Sequence, residues 1–118
     1  MPGVVVDTSV WIDFLAPHQT ASVEVQKMKL LVARKEVFLC PVVYQEILQG
    51  IRDERRFSEV KYILALFPML QPDFPIVEDT AVQLYRSLRR QGITIRKSND
   101  CLIAAYSLVY DVPVLFRD

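Results

Sequence analysis

Residues 4–14 read VVVDTSVWIDF, and the fold class turns on how the first four letters are taken. Gly3 and the unbroken β-branched run Val4–Val6 predict a strand over 3–7 that is buried on both faces, because a half-exposed strand would alternate apolar and polar residues. That strand ends on an acid, Asp7. Thr8 or Ser9 can cap a short helix running through Leu15, which leaves Asp7 free of capping duty.

Working outward, strands continue to alternate with helices. Residues 17–22 are a loop, after which Ala21, Val25, Met28 and Val32 recur at helical spacing up to about Arg34. VFLC (37–40) is a short strand closed by Pro41, a residue suited to the first turn of the next helix. Tyr44, Ile47, Leu48 and Ile51 make one apolar stripe, and Phe57, Val60, Leu64 and Phe67 make another. QPDFPIV (71–77) is expected to turn into a brief strand, followed by a helix over Glu78–Gln91, the loop GITIRKS, a helix over Asn99–Tyr110 and a last strand VPVLF. This alternation predicts an α/β domain whose mostly parallel sheet of four or five strands is flanked by helices.

Composition bounds what such a domain can do. At 118 residues with 52% apolar side chains, the chain suits a single domain spanning 1–118 with a proper core. Lys plus Arg and Asp plus Glu are 14 each, so no global positive field advertises a nucleic-acid partner. Any such partner must be held by a local patch or a metal. Cys40 and Cys101 lack the spacing of a zinc or redox pair and read as core thiols in a reducing interior. No basic leader precedes the first strand and no window reaches the ~18 apolar residues of a membrane span, so a cytoplasmic protein without a membrane partner is expected. His18, the one histidine, falls in a loop, which removes Ser-His-Asp and Cys-His machinery from consideration.

Open α/β sheets bind ligands beyond the carboxyl ends of their strands. Asp7 ends the first strand there and Asp118 follows the last, while Glu46 and Asp100 sit near helix starts in apolar surroundings. Each has an ordinary reading of its own: Asp7 as a cap, Glu46 as an exposed helix acid, Asp100 as a complement to a helix dipole, Asp118 as a surface acid. Asp13 reads as a first-turn dipole complement or a solvated acid. Together, however, four carboxylates at one edge repel. Two charges ~5 Å apart at an effective dielectric of ~20 cost roughly 3 kcal/mol. Protons or a divalent cation must relieve that, and an all-oxygen donor set selects Mg²⁺ or Mn²⁺. The chemistry that follows is metal-assisted hydrolysis.

Three stretches carry a resemblance: VVVDTSVWIDF, PVVYQEILQG and GITIRKSNDCLIAAYSLVYDVPVLFRD. In these the chain resembles PIN-domain proteins and, within that group, VapC-type toxins, the ribonuclease halves of toxin–antitoxin pairs. The resemblance implies a PIN-like three-layer fold and an Mg²⁺-dependent endoribonuclease, with Mn²⁺ as a substitute. It assigns catalytic roles to Asp7, Glu46, Asp100 and, at the weaker fourth position, Asp118, with Asp7 and Asp100 as metal ligands. Thr8 matches the family's hydroxyl beside the first acid, which implies a substrate-binding role in helping to hold a metal-bound water or ligand. The family's Asp-Phe pair after the last strand is missing, which implies a short absent C-terminal segment. It further implies a homodimer and a groove for a VapB-type antitoxin, for which the apolar helix pair around 44–67 is the candidate surface.

RNA must be held against these acids by local cations. Residues 86–97 (RSLRRQGITIRK) carry five basic side chains and no acid, and Arg117 lies beside the expected site. Arg96, Lys97 and Arg117 are therefore the candidate phosphate contacts. The rival readings are a non-toxin PIN-like RNA-binding or processing module and another metal-dependent phosphohydrolase. Within the latter, a haloacid-dehalogenase-like enzyme wants a second Asp where Ser9 stands, and a structure-specific DNA nuclease would be much longer.

Overall fold

A computed structural model describes residues 3–17, 22–95 and 97–117, with only the backbone of Ser98. His18, Arg96 and Asp118 lie outside the described residues. In order, the elements are β1 (Val4–Val6), α1 (Thr8–Leu15), α2 (Val23–Ala33), β2 (Val37–Phe38), α3 (Pro41–Gln49), α4 (Glu54–Leu64), α5 (Ile76–Arg90), α6 (Ser98–Tyr110) and β3 (Val114–Leu115).

The valine run is the middle of the sheet. β1 pairs in parallel with β2 through Val4–Val37 and Val5–Phe38, and with β3 through Val5–Val114 and Val6–Leu115, in the order β2-β1-β3. A parallel bridge between Leu39 and Met69 adds one further pairing beyond β2. Val5 and Val6 are buried, as expected of a strand covered on both faces. Gly3 lets β2 approach closely, since a Cβ there would run into the ring of Phe38.

Helices flank this sheet through apolar faces. Trp11 of α1 is fully buried, edge-on to Phe14 at 6.2 Å and to Phe67 at 5.0 Å between ring centroids. Met28, Val43, Ile47, Val60, Leu64, Val77, Ile103 and Tyr106 join the same core. Cys40 and Cys101 are buried free thiols. Burial pushes the Cys40 thiol up to about 11, with the nearby Glu46 and Asp7 charges adding to the effect, so it stays protonated.

Two local expectations are corrected. The brief strand expected after Phe74 is absent: Ile76 and Val77 instead open α5, which Glu78 and Asp79 favour by lying in its first turn. The β-like pairing of that region falls earlier, at Met69. Helix α1 is also capped differently, because Asp7 occupies the cap position without a side-chain cap bond and Thr8 is already helical. Pro41 does open α3.

The end of α5 sets up the next loop. Ile93 N–H donates to Leu88 O at 2.9 Å and Gly92 N–H to Arg89 O at 3.0 Å, with Gly92 at φ +80°. This left-handed closure needs glycine and sends the chain back toward Lys97 and α6.

Candidate active site

Because all three strands are parallel, their carboxyl ends share one edge. Asp7 leaves β1 there, α3 begins there after β2, and Phe116 and Arg117 leave β3 there. Asp7 N–H donates to Leu115 O at 2.8 Å, which fixes the acid's backbone against β3. The order β2-β1-β3 reverses direction at β1, so the crevice between β1 and β3 is a topological switch point.

A cavity of about 400 Å³ at this edge is lined by Asp7, Thr8, Ser9, Ile12, Asp13, Glu46, Lys97, Asp100 and Arg117. Asp7, Glu46 and Asp100, widely separated in sequence, thus face one space. The hydroxyls serve the acids and not the helix: Thr8 Oγ1 donates to Glu46 Oε1 at 2.8 Å, and Ser9 Oγ to Asp7 Oδ2 at 2.6 Å. Asn99 Nδ2 donates to Glu46 Oε2 at 3.3 Å, so both carboxylate oxygens of Glu46 are held, from α1 and from α6. Partial desolvation raises the carboxyl of the otherwise exposed Asp100 above its ordinary range, with Asp7 and then Glu46 adding repulsion and Lys97 partly opposing them.

Among the described residues, no three His, Cys, Asp or Glu side chains form a finished metal cage. The donor set nevertheless fits a hard divalent cation: carboxylates and hydroxyls share one cavity, and the crowding felt at Asp100 is what a cation would relieve.

Arg117 meets Asp13 at 2.7 Å. Asp13 is therefore neither a first-turn dipole complement nor a merely solvated acid. It lies in the second turn of α1, one turn beyond Ser9, and shares the cavity-lining face with Ser9 and Ile12. Of the basic run over 86–97, Lys97 is the described side chain that reaches the cavity. Arg89 instead lies over the Tyr85 ring at 5.6 Å. Sequence reading missed Asn99 as a partner of Glu46; its place beside Asp100 at the start of α6 was the available signal.

A second groove of about 250 Å³ adjoins the site through Ile12 and Glu46, and is otherwise lined mostly by apolar residues of α1, α3, α4 and the segments following α1 and α3, among them Leu15, Ile47, Ile51 and Val60, together with Arg56. The two expected stripes face the core: Ile47, Leu48, Val60 and Leu64 are buried, and Tyr44, Ile51, Phe57 and Phe67 are half-buried against them, while Tyr62 and Leu66, outside the stripes, are exposed. No helix among the described residues is long and apolar enough to cross a membrane.

The family model for the PIN domain matches residues 4–118. The chain is 33% identical over 116 residues to VapC ribonuclease Mb1587 of Mycobacterium bovis and to ribonuclease VapC11 of Mycobacterium tuberculosis, covering 98% of this chain and 86% of each relative. Among solved structures it is similar to DNA-bound VapBC from Salmonella typhimurium, with a TM-score of 0.77 at 16% identity, covering 98% of this chain and 86% of that one. It is also similar to a toxin–antitoxin complex from Klebsiella pneumoniae, with a TM-score of 0.71 at 15% identity, covering 95% and 83%.

Proposed function

The chain belongs to the PIN-domain family, alongside the VapC ribonucleases, and from that premise we propose that it is a metal-dependent endoribonuclease, the toxin of a VapBC-type pair, acting in the cytoplasm. The observation that carries the reading is the meeting of Asp7, Glu46 and Asp100 in one cavity at the carboxyl edge of the sheet.

In this reading Asp7 and Asp100 hold a divalent cation, Mg²⁺ or Mn²⁺. When bound, the ion supplies an activated water and neutralises charge on the phosphoryl oxygens. Glu46, fixed by Thr8 and Asn99, orients water toward the phosphodiester. Asp118 fills the fourth acidic position. Lys97 and Arg117, with Arg96, draw the RNA backbone to an edge that its acids would otherwise make repulsive. Thr8, which lines the same cavity, acts through Glu46 and stands where it can help hold a water or the substrate.

The apolar groove next to Glu46 suits an antitoxin segment with an apolar face and a basic end, which would relieve the same repulsion as the cation. The Klebsiella neighbour, a toxin–antitoxin complex, supports that partner. The exposed Tyr62 on α4 and Leu66 just beyond its end support a homodimer contact.

The test is incubation with total RNA in Mg²⁺, in EDTA, and with Asp7→Asn. Cleavage in Mg²⁺ that EDTA and Asp7→Asn both abolish is expected. Undiminished cutting by Asp7→Asn would show that the site lies elsewhere, and sequencing the new 5′ ends would identify the target RNA.

A further inference from the structure

Arg117 borders two cavities that share Asp7 and Asp100. The polar one holds Glu46 and the hydroxyls, while the other, also about 400 Å³, is walled by Ile103, Ala104, Val114 and Phe116. This second cavity lies at the switch point between β1 and β3 and is of a size that takes small ligands, for which ~300–1,000 Å³ is usual. Phe116 is 59% exposed and lines this cavity together with Asp7 and Asp100, so an aromatic ring stands beside the acids. Ile103 is 4% exposed and gives the cavity a rigid apolar floor.

Resting on the ribonuclease reading, we infer that this cavity is a nucleobase subsite. The base next to the scissile phosphate stacks on Phe116 over Ile103 and Ala104, with its phosphate turned toward Asp7 and Asp100 and Arg117 as counter-ion. A single-stranded nucleotide has the matching chemistry: a π-face for the aromatic wall and, across its ribose, a phosphate anion for the arginine. The arrangement separates two tasks. The polar cavity performs hydrolysis, and the apolar one chooses which nucleotide is presented to it.

The experiment uses the full chain and short single-stranded oligoribonucleotides in which a fluorescent adenine analogue is stepped along the sequence. Binding is read in Ca²⁺, without reliance on turnover, for the parent, Phe116→Ala and Phe116→Tyr. Stacking quenches the analogue at one position in the parent and in Phe116→Tyr, whereas Phe116→Ala loses the quench and binds about tenfold more weakly. An abasic nucleotide at that position weakens the parent by the same factor and leaves Phe116→Ala unaffected. Equal quenching in Phe116→Ala, no position-dependent quench in the parent, or no binding at all would overturn the subsite. Cleavage of total RNA by the parent is scored separately: cutting without a Phe116-dependent quench rejects the subsite alone, while a quench without cutting rejects the nuclease reading and leaves a base-binding site.

Discussion

Thr8 Oγ1 donates to Glu46 Oε1 at 2.8 Å across 38 positions of chain, tying the start of α1 to α3. Since α1 follows β1 and α3 follows β2, this one bond couples the carboxyl ends of two neighbouring strands. Asn99 holds the other oxygen from α6, so Glu46 is oriented by two helices besides its own.

Thr8→Val keeps the shape of the side chain and removes the donor. It is expected to lower kcat about tenfold while changing stability by less than about 1.5 kcal/mol, the usual net worth of such a bond. Thr8→Ser should restore activity. Steady-state kinetics and thermal melts on the three proteins provide the check; an unchanged kcat in Thr8→Val would mean that Glu46 needs no orienting donor.

Much of this was legible in the sequence because it rests on local rules. An unbroken valine run has to be a doubly buried strand, and an acid at its carboxyl end has to face the ligand edge of a parallel sheet, whatever follows. What was not legible depends on side-chain direction across the fold. Thr8 and Ser9 look like caps to any local rule, yet both donate to carboxylates, one of them on a helix more than thirty residues away. Arg117 and Asp13 are 104 positions apart, and nothing in either neighbourhood announces the pair. The strand expected after Phe74 failed for a simpler reason: Ile76 and Val77 are β-branched, but the acids that follow them favour a helix start.

The raised carboxyl of Asp100 has a sign that can be tested. Partial desolvation, then Asp7, makes it ionise later in the folded protein than in the unfolded chain. In the window above the ordinary carboxylate range the folded state therefore keeps a proton that the unfolded state has released. Stability from this group is present below that window and falls as pH rises through it. In EDTA at neutral pH, Asp100→Asn should melt higher than the parent and lose that decline with pH, while its activity in Mg²⁺ falls by roughly a hundredfold or more. Mg²⁺ should raise the Tm of the parent and not of the variant. A variant that melts lower in EDTA would show that Asp100 stabilises the fold as an anion.

In the Arg117–Asp13 pair the arginine is half exposed and the aspartate partly so, so the pair contributes little to stability. Asp13→Asn is expected to change stability by less than about 1 kcal/mol and, by releasing Arg117, to tighten RNA binding by at most about fivefold. Arg117→Ala should weaken binding and reduce the slope of log K against log salt by about 0.7, the value of one phosphate contact on a single strand. Titrations at several salt concentrations decide the matter, and an unchanged slope would leave Arg117 a structural partner of Asp13 only.

The placement of Asp7 depends on how closely β1 lies against β2. Gly3 opens the approach to β1, and a methyl group there would collide with the ring of Phe38, itself packed in the core. Gly3→Ala is therefore expected to cost about 1–3 kcal/mol, as over-packing does, and to lower Tm by roughly 5–15 °C. Gly50→Ala is the control, because the nearest atoms to its added Cβ are Glu46 O at 3.6 Å and Ile47 O at 3.7 Å, ordinary contact distances. Its φ of −82° is open to any residue, so its Tm should hold or rise slightly. Activity separates two ways for Gly3→Ala to yield: if Phe38 swings aside, β1 keeps its place and kcat is retained below the melt, whereas if β1 shifts, Asp7 moves with it and kcat falls in the folded protein. The hydrogen bond from Asp7 N–H to Leu115 O anchors β1 to β3 on its other side, so the first outcome is expected.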